Sequence, residues 1–254
     1  IKLVAWLGKQ GVKKIAGIPT GEALSRLLRQ IDGPSMEVFN SFTLSELLLA
    51  HGPFEGNPLL HGFTDAELKN VAEGCDSSHI RLQNGKPLGG RPNNYWGVLA
   101  RCEWGRLQLG LIQDHTLFDE CLGKVKEFLA ANPEGFWDDH QARKGRYDIY
   151  SADVLLFLKP MWPTLREDPK AATNLNEMLR RIMALGEAMA LEGGVSWAWG
   201  RTLNGHSQAM LMELMAVGLA EGLVADRSRA LALLAEGARA QHHLEAVRGP
   251  GRRT

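Results

Sequence analysis

Signals that start and stop helices recur along the whole chain, whereas the alternating, β-branched pattern of half-buried strands is nearly absent. Thr64 followed by Glu67 is a capping box, in which two side chains satisfy free backbone N–H groups at a helix start, and Gly74 would end this helix. Thr43 with Glu46 repeats the same spacing. The chain is therefore predicted to be all-α.

Further helices are expected to begin at Thr20, Thr116 and Asp226, because these side chains accept hydrogen bonds from a first helical turn. The first of them would end at Gly33, and the second would end at Ala131, before an Asn-Pro pair. The apolar positions of the helix after Asp226 are Leu231, Leu234 and Ala238.

Three further segments have apolar patterns that predict helices. Residues 94–113 show a period of about 3.6 residues, and Gly105 and Gly110 would let a neighbouring helix approach closely. Residues 206–223 are apolar on nearly every side, which predicts a buried helix. A helix with one apolar face is expected from Met178, Leu179, Ile182, Leu185, Gly186 and Met189.

About ten helices joined by short Gly/Pro turns are the pattern of stacked helical hairpins. No sequence repeat and no Pro-, Gly- or Ser-rich linker divides the chain, so residues 1–254 are predicted to form a single domain. The hairpins would either close into a complete or partial α/α toroid or stay open as a solenoid, and periodicity leaves both open.

Composition limits the classes of partner. Lys+Arg and Asp+Glu are both 29, so the net charge is zero and nothing favours a nucleic acid or an anionic membrane as partner. No apolar stretch reaches the ~18 residues of a membrane span. The expected partner is a small-molecule or oligosaccharide substrate, and the oligomeric state is left open. The short apolar run over residues 3–7 precedes Lys9, the reverse of a signal peptide, which favours the cytoplasm.

Metal and cofactor signals are weak. Cys75, Cys102 and Cys121 are an odd set without a CxxC spacing, which predicts buried free thiols and neither a disulfide framework nor a zinc site. His242 and His243 are adjacent and would face different directions on a helix. No metal and no cofactor is expected.

Three segments carry polar and aromatic residues that helix building does not require. The first, residues 91–96, contains Asn93, Asn94 and Tyr95, and two adjacent amides exceed what one helix cap needs. The second, residues 134–151, combines acids and bases with a tryptophan and two tyrosines. Its candidate site residues are Trp137, Asp139, Tyr147, Asp148 and Tyr150.

The third segment, residues 197–207, places Trp199, Arg201 and His206 at the start of the most apolar helix. Because an unpaired buried charge is costly, these groups would either pair with acids such as Asp139 and Asp148 or face a water-filled cavity. The sequence leaves the two possibilities nearly even.

At these segments the chain resembles a family of bacterial and fungal proteins of unassigned function, whose signature runs Asn-Asn-Trp, Gly-Trp-x-x-Asp-Gly, Phe-Asp-Tyr-Tyr and Gly-Arg-Ser-Leu. The counterparts, spread over about residues 90–220, are Asn93-Asn94-Tyr95, Gly135-Phe136-Trp137-Asp138-Asp139, Tyr147-Asp148-Ile149-Tyr150 and Gly200-Arg201-Thr202-Leu203. Ile149 replaces a tyrosine, and Gly205-His206 stands where the family has a Tyr-Arg pair. The family is similar to α/α-toroid carbohydrate-active enzymes, including heparinase-type polysaccharide lyases, which implies that fold and activity.

Two routes of glycan cleavage fit the candidate residues. In β-elimination, Asn94 and Arg201 would neutralise a uronate carboxylate while Tyr150 or His206 removes the neighbouring proton. In hydrolysis, Asp139 and Asp148 would be the two carboxyl groups, about 6.5–9.5 Å apart for inversion and closer for retention. The residues assigned to substrate binding are Asn93, Asn94, Tyr95, Trp137, Tyr147 and Trp199.

Other classes of function remain open. An aromatic-lined helical cavity would also suit a terpene cyclase-like enzyme or an isomerase, although Ala142 stands where the acidic diphosphate motif begun by Asp138 and Asp139 needs another acid. A helical solenoid that binds protein through its concave face is the non-enzymatic alternative. The enzyme hypotheses require the three polar segments to meet, whereas the solenoid predicts that they are scattered.

Overall fold

The computed structural model describes residues 4, 8, 11–35, 38–78, 94–131, 149–190 and 205–248, with the backbone alone at residues 94, 149–151, 205–207 and 241–248. Helices dominate these residues, and the only strands among them are β1, Lys14–Ile15, and β2, Ile18–Pro19, which pair antiparallel. The predicted all-α class is confirmed. No helix in these ranges has both the length and the apolar composition needed to cross a membrane.

The chain divides into two compact units, Ile1–Arg91 with Tyr95–Lys124, and Pro92–Asn94 with Val125–Thr254. The single domain and the toroid both stay predictions.

The first unit holds the small hairpin and the helices of the first half of the chain. They are α1 Thr20–Leu28, α2 Val38–Leu49, the 3₁₀ turn Pro58–Leu60, α3 Asp65–Gly74, α4 Asn94–Leu109 from its second residue onward, and the first half of α5 Thr116–Ala131. Leucines dominate its core, with one face of α1, α2 and α3 contributing. The buried cluster is Leu24, Leu28, Leu44, Leu47, Leu48, Leu59, Leu60, Val71, Cys75 and Leu109. Each such leucine contributes about 1.5–3 kcal/mol by leaving water.

The second unit contains the last turns of α5 and the helices that follow. They are α6 Ile149–Phe157, the 3₁₀ turn Lys159–Met161, α7 Trp162–Arg166, α8 Pro169–Met189, α9 Gly205–Glu221 and α10 Arg227–Arg248. Helix α9 packs against α6, α8 and α10. As predicted, α8 has one buried face, with Met178, Leu179, Ile182 and Gly186 in it.

Several helix boundaries agree with the sequence pattern. Thr64 and Glu67 form the predicted capping box, and α3 ends at Gly74. The Thr64 backbone N–H, with Arg29, holds the pKa of Glu67 below its usual range. Helix α5 ends at Ala131 as expected. Asp226 accepts the backbone N–H of Arg229 at 2.9 Å and starts α10.

One predicted helix start and one predicted cap are wrong. Helix α2 begins earlier, at Val38, and the hydroxyl of Thr43 donates to the Phe39 carbonyl 2.7 Å away inside the helix. The earlier start buries Val38 completely, which outweighs a cap at Thr43. Thr20 is the first residue of α1 rather than its cap, and its hydroxyl donates to the Val12 carbonyl.

The cap of α5 also differs, although the helix begins at Thr116 as predicted. The Thr116 backbone and hydroxyl groups both donate to Asp114, 2.9 and 2.7 Å away, so Asp114 takes the capping role predicted for Thr116.

The predicted apolar faces of the last two helices need correction. In α10 the buried residues include Ala230 and Leu233, whereas Leu231 is 49% exposed and Ala238 is exposed. The buried face of α10, which packs against α9, is therefore displaced by one residue from the predicted face. Helix α9 also has an exposed side, which includes Ala216. Exposure of an alanine costs little, because its side chain is only a methyl group.

Gly105 within α4 and Gly110 directly after it have different roles. A Cβ on Gly105 would lie 2.8 Å from the Ser45 Cβ, so the predicted close helix approach is confirmed there. Gly110 has a φ of 77° and no atom close to where its Cβ would be. It ends α4 in a left-handed turn, which glycine adopts at low cost.

Gly105→Ala is expected to lower the free energy of unfolding by about 1–3 kcal/mol, because its methyl group overpacks against Ser45 near the backbone. Gly123→Ala, in helix α5, is the matched control, since its Cβ meets nothing within 4 Å. It should raise the free energy of unfolding by about 0.5–1 kcal/mol. Urea unfolding followed by circular dichroism measures both, and equal effects of the two variants would contradict the close approach.

Candidate functional site

Most of the predicted site residues lie outside the part of the chain that the structure describes. These are Asn93, Trp137, Asp139, Tyr147, Asp148, Trp199 and Arg201. For Asn94, Tyr150 and His206 only the backbone is described, in the first turns of α4, α6 and α9. Their convergence stays a prediction.

Tyr95 is the one predicted site residue whose side chain is described. It is half-buried and meets the edge of the Phe39 ring, with centroids 6.4 Å apart and planes at 73°. This geometry is a favourable aromatic contact. Tyr95 therefore has a packing role in the first unit, whatever else it contacts.

The second and third polar segments lead directly into two helices of the second unit. Residues 134–148 precede α6, and residues 197–204 precede α9. These two helices pack against each other. Asn94, the first residue of α4, is grouped with this unit, whereas Tyr95 and the rest of α4 belong to the first unit. Two of the three polar segments therefore lead, along the sequence, into helices that are in contact.

Both of these packed helices bury a polar side chain near their start. Asp153, in the second turn of α6, is 5% exposed, and Gln208, in the first turn of α9, is 7% exposed. A carboxylate taken from water needs a polar partner or becomes protonated, and Asp153 does interact with another group. A buried carboxylate of this kind can transfer a proton or hold a cationic side chain in place.

Our sequence analysis missed Asp153 and Gln208. The signal for Asp153 was present, because it is the one charged residue in the otherwise apolar run over residues 152–158. Charge within a buried run is more informative than charge on a loop, since it has to be compensated.

Trp162 and Arg166 hold helices of this unit together. The indole N–H of Trp162, a fully buried residue, donates to the Leu155 carbonyl in α6 at 3.2 Å. Arg166 lies 5.2 Å from the Trp162 ring and forms an ion pair with Glu221 of α9 at 3.2 Å. Helix α7 is thereby joined to both helices that follow the polar segments.

The first unit contains a separate set of buried charges on α4. Arg106 lies 3.0 Å from Asp76 and 2.9 Å from Glu103. Burial raises the pKa of Glu103, and Arg106 opposes that rise. Arg101 pairs with Glu46 at 2.5 Å and lies 4.3 Å from the Trp104 ring. Each carboxylate has an arginine partner, as a buried ion pair requires, so this set stabilises the packing of α4.

Two neighbouring clefts lie beside α1 in the first unit. One has a volume of about 620 Å³ and is lined by Gly21, Glu22, Ser25, Arg26, Arg29, His51, Pro58, Leu59 and His61. The other, of about 400 Å³, is lined by Gly8, Gly11, Val12, Lys13, Thr20, Gly21, Leu24, Ala50 and His51. Gly21 and His51 line both, so we treat them as one feature, the α1 groove.

The described residues include no group of three or more His, Cys, Asp or Glu side chains placed to hold a metal ion. All three cysteines are buried and free, as predicted. Burial raises the pKa of Cys75 to about 11, so its thiol is protonated at neutral pH and a weak nucleophile.

Comparison with known proteins finds no family model, no curated protein and no solved structure that matches the chain. The resemblance to the toroid family therefore stays a prediction based on the sequence motifs.

Glu103→Gln is expected to change the pH dependence of stability. Because the folded pKa of Glu103 is raised, the folded protein binds more protons than the unfolded chain above the ordinary value of 4.5. The free energy of unfolding then falls as the pH rises from 4.5 through the folded pKa. In urea titrations at several pH values, the free energy of unfolding of the wild type should fall over this pH range relative to that of Glu103→Gln. The exposed Glu55→Gln is the control, and a parallel pH profile for wild type and Glu103→Gln would refute the effect.

Proposed function

We propose that the protein is a carbohydrate-active enzyme that cleaves a glycosidic bond in an acidic, uronate-containing glycan, and that its helical hairpins form a complete or partial α/α toroid. The observation that carries the proposal is the packing of α6 against α9, the helices that residues 134–148 and 197–204 lead into. Buried Asp153 and Gln208 near their starts support a polar site at this place.

The favoured chemistry is β-elimination. The proton next to a uronate carboxylate is only weakly acidic, so its removal requires that the carboxylate charge be neutralised while a base takes the proton. Asn94 and Arg201 supply amide and guanidinium donors for the first task. Tyr150 or His206 supplies the base. Tyr150 and His206 each stand second in a helix, α6 and α9 respectively, and these two helices are in contact.

Hydrolysis is the alternative within the same class. It uses a carboxylic acid that protonates the leaving oxygen and a carboxylate that activates water or attacks the sugar. Asp139 and Asp148 are the pair taken from the sequence. Asp153 adds a third, buried carboxylate, on the helix that follows Asp148.

A cluster of bases supports an acidic substrate. Arg143, Lys144 and Arg146 make the stretch 143–146 of the second polar segment positive, although four acids flank it within residues 134–151 and the net charge of the chain is zero. Local fields of this kind attract anionic ligands at low ionic strength.

The activity itself is tested with a panel of uronate-containing polysaccharides and a neutral glucan. Absorbance of the unsaturated product reports elimination, and new reducing ends report cleavage by either route. We expect cleavage of at least one acidic polymer and none of the neutral glucan. If neither unsaturated product nor new reducing ends appear with any polymer of the panel, the proposal is rejected.

Substitutions separate the two routes. Arg201→Ala and Tyr150→Phe should abolish elimination, because they remove a carboxylate neutraliser and a base, whereas Asp148→Asn should abolish hydrolysis. Arg227→Ala and Asp119→Asn are matched controls, since both residues are exposed in described helices and lie outside the polar segments of the sequence. Full activity in Arg201→Ala, Tyr150→Phe and Asp148→Asn alike would remove the assigned roles.

A further inference from the structure

We propose that the α1 groove of the first unit is a non-catalytic binding site for the acidic glycan, which holds carboxylate groups of the chain away from the bond that is cleaved. The ligand class rests on the proposed function, whereas the site rests on the groove's shape and charge.

The groove has the size of a ligand site. Its larger part measures about 620 Å³ and its smaller part about 400 Å³, within the range of about 300–1,000 Å³ that ligand pockets occupy. Because the two parts share Gly21 and His51, they adjoin beside the start of α1. Two adjoining cavities can hold neighbouring sugar units of an oligomer.

The lining is cationic. Lys13, Arg26 and Arg29 contribute three positive groups, and Glu22 is the one acid among the described lining residues. Arg29 is paired with Glu67 and Arg26 with Glu22, and of these two arginines the more exposed is Arg26. Lys13 is exposed and forms no ion pair within the described residues.

Arg26 can exchange its partner for a ligand. Its ion pair with Glu22 is 62% exposed on the arginine side and 47% on the glutamate side. Exposed pairs one helical turn apart are weak, because water screens the charges. A bound carboxylate that is partly shielded from water would compete with Glu22 for the guanidinium group.

Arg29 holds the wall of the groove in place. Its guanidinium group makes two bonds to the Glu67 carboxylate, at 2.7 and 2.6 Å, and donates to the Gly62 carbonyl at 2.9 Å. It also lies 4.1 Å from the Phe63 ring centroid. These contacts tie α1 to the chain next to His61, so the groove exists before a ligand binds. A preformed site loses less entropy on binding.

The start of α1 is open towards the groove. Gly21 is exposed in the first helical turn, and a Cβ built on it meets no atom within 4 Å. The Thr20 N–H donates to the Lys13 carbonyl at 3.0 Å, and the positive end of the helix dipole favours a carboxylate at this end of α1. The exposed rings of His51 and His61 add hydrogen-bonding groups for sugar hydroxyls.

Isothermal titration of the full chain with a galacturonate hexamer, and with maltohexaose as its neutral match, tests the proposal. The wild type should bind the acidic hexamer, more weakly at higher salt, and should not bind maltohexaose. The double variant Lys13→Ala with Arg26→Ala should weaken binding of the acidic hexamer at least tenfold. Gly21→Leu should also weaken it at least tenfold, because its side chain would extend from a position whose Cβ meets no atom within 4 Å into the groove that Gly21 lines.

Arg180→Ala, an exposed arginine in the second unit, is the control and should bind as the wild type does. Circular dichroism checks that each variant folds. If Gly21→Leu does not fold, the double variant alone tests the groove. Unchanged binding in the double variant, equal binding of maltohexaose, or no binding of the acidic hexamer would each overturn the groove site.

Activity assays distinguish this inference from the proposed function. Binding that the groove variants weaken, with no cleavage of any uronate polymer, would keep the groove as an acidic-glycan site and reject the enzyme. If the double variant cleaves long polymers with the kcat/KM of the wild type, the proposed enzymatic function is supported and the binding role of the groove is rejected. Arg201→Ala should lose cleavage and retain hexamer binding.

Discussion

The close approach of helices at positions that lack a Cβ is the constraint on which each unit depends. In the first unit Gly105 lets α4 lie against Ser45 of α2, and in the second a Cβ on Gly218 would lie 2.6 Å from the Met183 sulfur atom. Arg101 is one turn before Gly105 and therefore on the same face of α4. Its ion pair with Glu46, the neighbour of Ser45, depends on that approach.

Buried polar groups in the two units serve different ends. On α4 each charged side chain meets an opposite charge within the first unit, and such pairing fixes how helices pack more than it adds stability. Asp153 and Gln208 instead lie where the polar segments enter the helices of the second unit. Our proposal assigns the chemistry to the second unit, because the polar segments precede these two helices in the sequence.

Charge distribution matters more for this protein than its total charge. The chain is neutral overall, yet basic groups predominate in the α1 groove and in residues 143–146. A groove lined by long, exposed basic side chains recognises charge without fixing the geometry of a reaction. Catalysis requires groups held within hydrogen-bonding distance of the reacting atoms. Binding and cleavage of an acidic polymer are therefore assigned to different residues.

The sequence by itself determined the all-α class, the capping box of Thr64 and Glu67, the one-faced helix α8 and the burial of the cysteines, because local hydrogen bonding and periodicity act over a few residues. It identified the polar segments but missed Asp153 and the α1 groove. Only the tertiary structure decided that α2 begins at Val38, that α10 turns Leu231 outwards, and that Lys13 and Arg26 line one groove with His61. Those outcomes depend on contacts between residues distant along the chain, which override local propensity when they bury more apolar surface.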